Sequence, residues 1–459
     1  MTDGNIKNIH EYSIYIVRQP IAFLLGFSLA LVIFFYNYSI IGFGSMFIVF
    51  LFFVFLTFIA IGKNHFRLPV AKNINRVFIA HLIFTLVLFF SFYMNESLTS
   101  KDIRYLFSSA ANIFWWHILF SLAVYQRKLF YHSFKIGYVL LAYLTIFSWV
   151  LLAAHTQNIF FLRYEMLNVG ILKFTSLRNP NKLARITLIV TCILYFYYST
   201  GRSYYKGRNL HLISLMMVLG FIIITTLSRA NILSLGIFAT MTFSIDKFKR
   251  VRTIRILRGV VVVAGVCLFI VLVMPIVQER FADAIRRMSL MLSSLGIDDP
   301  LSVTGRRTRT WLATVNLISD NSVFGVGFSG IEEHLRVYGS TMLGGSNPGG
   351  VMLVHGGFLK FAAYGGLLSL SAFLFLFFLL FWYALKIFLF SNTIWQKRSS
   401  YSLLILLFVL IPMNIGADSF GLSLTWMSIS FLFINAQITQ YSEELNSKVT
   451  RIKKVGLER

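Results

Sequence analysis

The sequence predicts an all-α protein: a polytopic membrane helix bundle of about twelve transmembrane helices, with a large helical loop before the tenth. Three observations predict it. Apolar residues fill 57% of the 459 positions, phenylalanine alone 48 of them, while only 13% are charged and the mean hydropathy is +0.74. That balance lies outside the range of soluble globular proteins. Apolar runs of about 20 residues recur along the chain, each long enough for a helix to cross about 30 Å of hydrocarbon. Basic residues concentrate in alternate connecting loops, as a membrane orientation signal requires.

The runs lie near residues 20–36, 39–61, 77–94, 106–125, 136–154, 185–200, 210–227, 230–245, 259–277, 357–385, 402–420 and 421–438. Pro20 opens the first without a small-residue cleavage site, so that run is read as an anchor and not as a cleaved signal. The organisation that follows is membrane helices over 1–277, a loop over 278–356, membrane helices over 357–440 and a basic tail over 441–459.

Sorting lysines and arginines by side puts 26 of the 42 on the side of the N terminus and 16 opposite; net of acids, the sides carry +20 and +5. Both termini are therefore expected in the cytoplasm. The formal net charge of +25 is mostly this orientation signal, which also attracts anionic lipid, and no basic module interleaved with aromatics points to nucleic acid. Cys192 and Cys267 fall in separate apolar runs without metal-site spacing and read as small buried residues.

The loop 278–356 carries seven arginines, seven acids and no lysine. Arginine's planar fork grips phosphate oxygens bidentately, whereas lysine offers a point charge, so this composition favours placed anion contacts over general basicity. Within the loop, Phe281, Ile285, Met288 and Leu292 recur at helical spacing opposite Arg280, Arg286 and Arg287. They predict a helix lying on the membrane surface or an ordinary packed one. A second helix is expected over 306–319, with Arg307 and Trp311 one turn apart, followed by a tight turn at Gly325, Gly327 and Gly330. The stretch 341–350, with four glycines and one proline, reads as a movable connection or a passive linker. From Val351 to Leu385 the chain is apolar apart from His355 and Lys360. That is too long for one untilted span, so its first part is expected outside, with His355 at the mouth of the bundle.

Four short patterns stand out: Leu177-Arg178-Asn179-Pro180-Asn181-Lys182-Leu183-Ala184; Leu227-Ser228-Arg229-Ala230; Thr304-Gly305-Arg306-Arg307 with Trp311 and then Phe324-Gly325-Val326-Gly327; and His355-Gly356-Gly357-Phe358-Leu359. In this order, over roughly 170–420, they resemble the O-antigen polymerase and ligase superfamily. These bacterial inner-membrane enzymes move a glycan from an undecaprenyl diphosphate carrier to an acceptor at the periplasmic face. The resemblance implies that Arg229 and Arg306 or Arg307 engage the diphosphate and that His355 acts on the acceptor hydroxyl. Arg178, Ser228, Arg309, Trp311 and Asp418 are candidates for supporting the diphosphate or the acceptor. Two departures are notable. Gly356 stands where the family usually has asparagine, and the Gly-Arg spacing points to Arg306 while the arginine-to-tryptophan spacing points to Arg307.

Chemistry supports the same residues independently. Breaking a sugar–diphosphate bond needs charge stabilisation on the leaving phosphate, which fixed guanidinium groups supply without a metal. The attacking hydroxyl needs a proton acceptor, and neutral imidazole, with an ordinary pKa of about 6.5, suits that role. Asp298-Asp299 beside Pro300 reads as a turn, so neither metal nor cofactor is expected. Each residue also has a plainer reading. Arg229 can snorkel to the interface, Arg178 and Lys182 can cap a loop, His355 can be an interfacial hydrogen-bonding residue, and Asp418 can pair with an arginine.

The leading expectation is a polymerase that joins lipid-linked repeat units, with undecaprenyl-diphosphate-linked oligosaccharide as donor and acceptor and a chain-length regulator and a flippase as candidate partners. The close alternative is the ligase that passes the glycan to lipid A-core. A flippase for the same lipids ranks lower, because no internal repeat is visible.

Overall fold

The apolar run placed last in the chain is the one the others surround. The structure, a computed structural model, describes residues 23–27, 30, 39–40, 43–44, 72–94, 100–156, 180–201, 208–226, 228–245, 313–327, 330–331, 334, 356–416 and 424–438. In chain order its helices are α1 (Lys72–Met94), α2 (Ser100–Tyr125), α3 (Arg127–Thr156), α4 (Pro180–Gly201), α5 (Arg208–Thr225), α6 (Arg229–Ile245), α7 (313–320), α8 (Gly357–Phe390), α9 (Ile394–Gly416) and α10 (Leu424–Ile438). The protein is thus all-α in its described body. A helix is predicted from residue 39, but there Ser39 pairs with Gly44 and Ile40 with Phe43 as a two-residue antiparallel bridge. Ile40 and Ile41 ahead of Gly42 and Gly44 favour extended chain and a turn over a helix start.

Among the described residues, five helices have the length and apolarity to cross a membrane: Lys72–Met94, Leu129–Ala154, Asn181–Thr200, Gly357–Phe390 and Ile394–Asn414. In hydrocarbon every backbone polar group must find its partner inside the segment, which selects helix for these runs. Buried hydroxyls and amides follow the same rule by donating to the carbonyl one turn back: Thr187 to Leu183 at 2.6 Å, Thr191 to Thr187 at 2.8 Å and Asn435 to Phe431 at 2.8 Å. α1 is apolar on both sides. Ile74, Val77, Phe84, Leu88 and Phe92 are buried at helical spacing, while Ile79, Ile83, Leu86 and Phe90 are exposed where lipid would lie.

α10 is buried along its whole length. Phe431 lies among Phe130, Phe134, Tyr138, Phe196 and Tyr197 of α3 and α4, stacked on Phe134 with centroids 4.5 Å apart. Farther along α10, Phe433 meets Trp116 of α2 and Tyr383 of α8 edge-on. Tyr138 and Ser428 share a 2.6 Å hydrogen bond, and Asn73 of α1 donates to Gln437 at 3.2 Å. α1, α2, α3, α4 and α8 thus contribute to the sheath around a central helix.

α8 is two helical segments that meet at a break, Gly365 (φ −125°, ψ 16°) and Gly366 (φ 68°, ψ −172°). Phe358 and Phe361 of the first segment both lie against Phe373 of the second, 5.9 and 4.5 Å between centroids. A straight helix would separate residues 361 and 373 by about 18 Å, so the first segment folds back along the second. The apolar length of 351–385 predicts that this part lies outside; instead its described residues re-enter the bundle. Gly366, at positive φ, supplies a backbone reversal that a residue with a side chain makes only with strain.

Candidate functional site

The glycine turn and the break in α8 are built for each other. After α7 the chain turns through 321–324, with φ of +65° at Gly325 and +75° at Gly327. Val326 donates its amide to the Ala363 carbonyl at 2.9 Å, and Leu367 donates to the Ser322 carbonyl at 2.7 Å. These bonds use groups that the break removes from the α8 ladder. A Cβ on Gly366 would lie 2.0 Å from the Val323 oxygen, so the two backbones touch. Ser91 of α1 donates to the Gly365 carbonyl at 3.2 Å and Phe90 meets Phe324 edge-on, which ties the turn to α1 as well. Gly325 and Gly327 thus make the predicted turn. Gly330 lies in a helical stretch.

α9 supplies a common axis along which the remaining elements can be levelled. It runs antiparallel to α6: Tyr401 donates to the Met241 carbonyl at 2.7 Å, and one end farther along Ser234 donates to the Val409 carbonyl at 3.0 Å. It runs antiparallel to α4, because Arg398 at its start hydrogen-bonds the Ser199 carbonyl near the α4 end. It also runs antiparallel to the second segment of α8, through Phe388 with Tyr401 and Phe381 with Phe408. The last turns of α9 therefore share one end of the bundle with the first turns of α4 and α6. Gly357, the first residue of α8, lies at that level too, since a Cβ placed on it would sit 2.6 Å from Asn414 Oδ1. α10 begins there as well, with Trp426 6.5 Å from Phe373 and 4.3 Å from His81. The break in α8 stands about 12 Å farther out along the same axis.

Among the described helices, α2, α4, α6, α10 and the first segment of α8 start toward this end of the bundle. Each helix start carries a positive partial charge and unsatisfied amides, and in apolar surroundings several of them together favour an anion.

The sequence candidates map onto this end through their covalent neighbours. Arg229 is the first residue of α6. Ser228 precedes it, half-buried, accepting a 2.7 Å hydrogen bond from Asn231 Nδ2 and giving its carbonyl to the Ile232 amide. His355, Arg178, Arg306, Arg307, Arg309, Trp311 and Asp418 lie outside the described residues. Chain connectivity still limits four of them: His355 directly precedes Gly356, Trp311 falls two residues before α7, Arg178 two before α4, and Asp418 two after α9. The amphipathic pattern at 281–292, the start of the helix expected at 306 and the connection at 341–350 also lie outside the described residues.

Gly356 explains one departure noted in the sequence. It adopts φ 109° and ψ 122° at the start of α8, a conformation strained for an asparagine or any residue with a Cβ.

Three polar residues at this end were given no role in the sequence reading. Arg185, only 7% exposed, lies on α4 with Nε donating to the Asn181 carbonyl at 3.2 Å. Its signal was an arginine just inside an apolar run. Lys360 lies on the re-entrant segment, its ammonium 5.2 Å from the Tyr364 ring. Asn414, fully buried, gave no signal, because its meaning comes from the element packed against it.

No curated protein matches the chain. A family comparison does match: residues 213–374 fit the model of the O-antigen ligase family. The matched stretch runs from α5 through α6, the glycine turn and the break in α8; α4, α9 and α10 lie outside it. Over this stretch, less than half of its length, this membrane protein is similar to the O-antigen ligase family, whose members are glycosyltransferase-like enzymes.

Proposed function

We propose that the protein is a surface-polysaccharide polymerase: a metal-independent glycosyltransferase that joins undecaprenyl-diphosphate-linked repeat units. One observation carries the reading. The start of α6, where Arg229 stands, and the start of α8, which His355 directly precedes, lie at one level of the bundle on either side of the last turns of α9. A diphosphate at this end would meet helix starts and the arginine forks of Arg229, Arg306 and Arg307. His355 would take the proton of the acceptor hydroxyl as its oxygen attacks the anomeric carbon. The bond from that carbon to the phosphate oxygen breaks, and the lipid diphosphate leaves with the charge the arginines stabilise.

Sidedness supports a site at the periplasmic face of the cytoplasmic membrane. The starts of α1, α3 and α9 and the end of α8, all at the opposite end of the bundle, carry Lys72, Arg76, Arg127, Lys397, Arg398 and Lys386. That is the basic side expected in the cytoplasm.

The description of the matching family favours a second reading, the ligase that passes a finished glycan to lipid A-core. Lipopolysaccharide banding of a deletion strain separates the two. Core bearing a single repeat unit supports the polymerase, whereas bare core supports the ligase. Complementation with His355→Ala should reproduce the deletion pattern, and a normal ladder would remove His355 from the reaction.

A further inference from the structure

The first segment of α8 starts without a cap of its own. Gly356, at the N-cap position, makes no side-chain cap hydrogen bond, and the first intrahelical bond runs from the Lys360 amide to the Gly356 carbonyl at 3.0 Å. The amides of residues 357–359 precede that bond and have no acceptor within the helix. An uncapped helix start buried in an apolar bundle needs an acceptor from elsewhere.

Among the described residues, Asn414 places a polar side chain at that spot. It is fully buried on α9, one turn and a half beyond the Val409 carbonyl that holds Ser234 of α6. Its Nδ2 donates to the Leu410 carbonyl at 2.7 Å, which turns the other carboxamide atom, Oδ1, toward α8. A Cβ on Gly357 would stand 2.6 Å from that oxygen and 3.3 Å from Cγ, so glycine at 357 leaves the space the carboxamide fills. A leucine or valine at 414 would fit the apolar surroundings but would offer no acceptor.

We propose that Asn414 is a positioning residue for the transfer reaction: its carboxamide, reaching from α9 to the first residue of α8, sets where α8 begins and so where the backbone holds His355. The inference rests on the reading of His355 given above, and it reaches beyond the family match, which ends at residue 374. It assigns α9 the task of registering the His355 helix against the Arg229 helix, because the same last turns of α9 hold α6 through Ser234.

The test uses the full chain purified in detergent and lipid-linked repeat units extracted from cells that lack it, with kcat and KM measured for chain extension. Asn414→Ala should lower kcat about tenfold or more with KM for the lipid-linked donor within about twofold, since binding by the arginines is untouched. Asn414→Asp keeps an acceptor oxygen in place and should recover most of the lost kcat. Gly357→Ala pushes the carboxamide aside and should match the Asn414→Ala loss, and the double variant should be no worse than the poorer single one. If Asn414→Ala does not accumulate as folded protein, the Gly357→Ala and Asn414→Asp pair carries the test alone. Near-normal kcat in Gly357→Ala and Asn414→Ala, or fully additive losses, would overturn the positioning role if His355→Ala is inactive in the same assay. If His355→Ala extends chains normally, the reading of the site fails instead, whatever the Asn414 variants do.

Discussion

The Val326 amide donates to the Ala363 carbonyl at 2.9 Å, joining a turn that follows α7 to the broken helix α8. The turn completes hydrogen bonds that the break at Gly365–Gly366 removes, so neither feature is stable in this form without the other. The first segment of α8 is held folded back by this contact, and with it the chain that follows His355.

Gly366→Ala should therefore disturb this end of the bundle. The added Cβ meets the Val323 oxygen at 2.0 Å on a backbone with positive φ. A cost of about 2 kcal/mol or more is expected. A lower unfolding midpoint of the detergent-purified protein, together with loss of transfer, checks it; an unchanged midpoint would mean the turn does not seat against the break.

The central helix makes a different prediction. Phe431 touches five aromatic rings from α3 and α4, so Phe431→Ala should cost about 3–5 kcal/mol. Phe378, 57% exposed on the outer side of α8, serves as the comparison, and its replacement by alanine should stay within about 0.5 kcal/mol. Equal losses from the two would contradict a sheath packed around α10.

Tyr138→Phe removes the hydroxyl paired with Ser428 while leaving the ring in place. Ser428 keeps its bond to the Leu424 carbonyl at 2.7 Å, so the loss should be modest, about 1 kcal/mol, read from thermal unfolding. Transfer activity should be unaffected, because this pair joins α3 to α10 and neither residue is a candidate for the reaction.

For the arginine at the start of α6, the comparison of interest is Arg229→Lys with Arg229→Ala. If the planar fork grips a diphosphate, each should cut the transfer rate by about 10²–10³, with lysine giving little rescue. Wild-type turnover in Arg229→Lys would show that a point charge suffices and would weaken the bidentate contact.

What could be read from the sequence follows from what is local. Runs of some twenty apolar residues dictate helices, because backbone groups in hydrocarbon can be satisfied only within the segment. The glycine pattern at 325 and 327 predicted its turn for the same reason, since positive φ is a property of single residues. Ser228-Arg229 at a helix start and the Gly-rich stretch after His355 were legible as motifs. The short bridge at Ser39–Ile40 and Phe43–Gly44 was hidden because hydropathy alone does not separate two extended residues from the start of an apolar helix.

The sequence by itself determined that this is an all-α membrane protein. Only the tertiary structure decided that α10 is the central helix, that α8 doubles back at Gly365–Gly366 to bring the start next to His355 into the bundle, and that Asn414 meets Gly357 there. The division has a physical reason: hydropathy and backbone freedom belong to each segment alone, whereas which segment is enclosed, and which buried amide faces which helix start, depends on how all of them pack together.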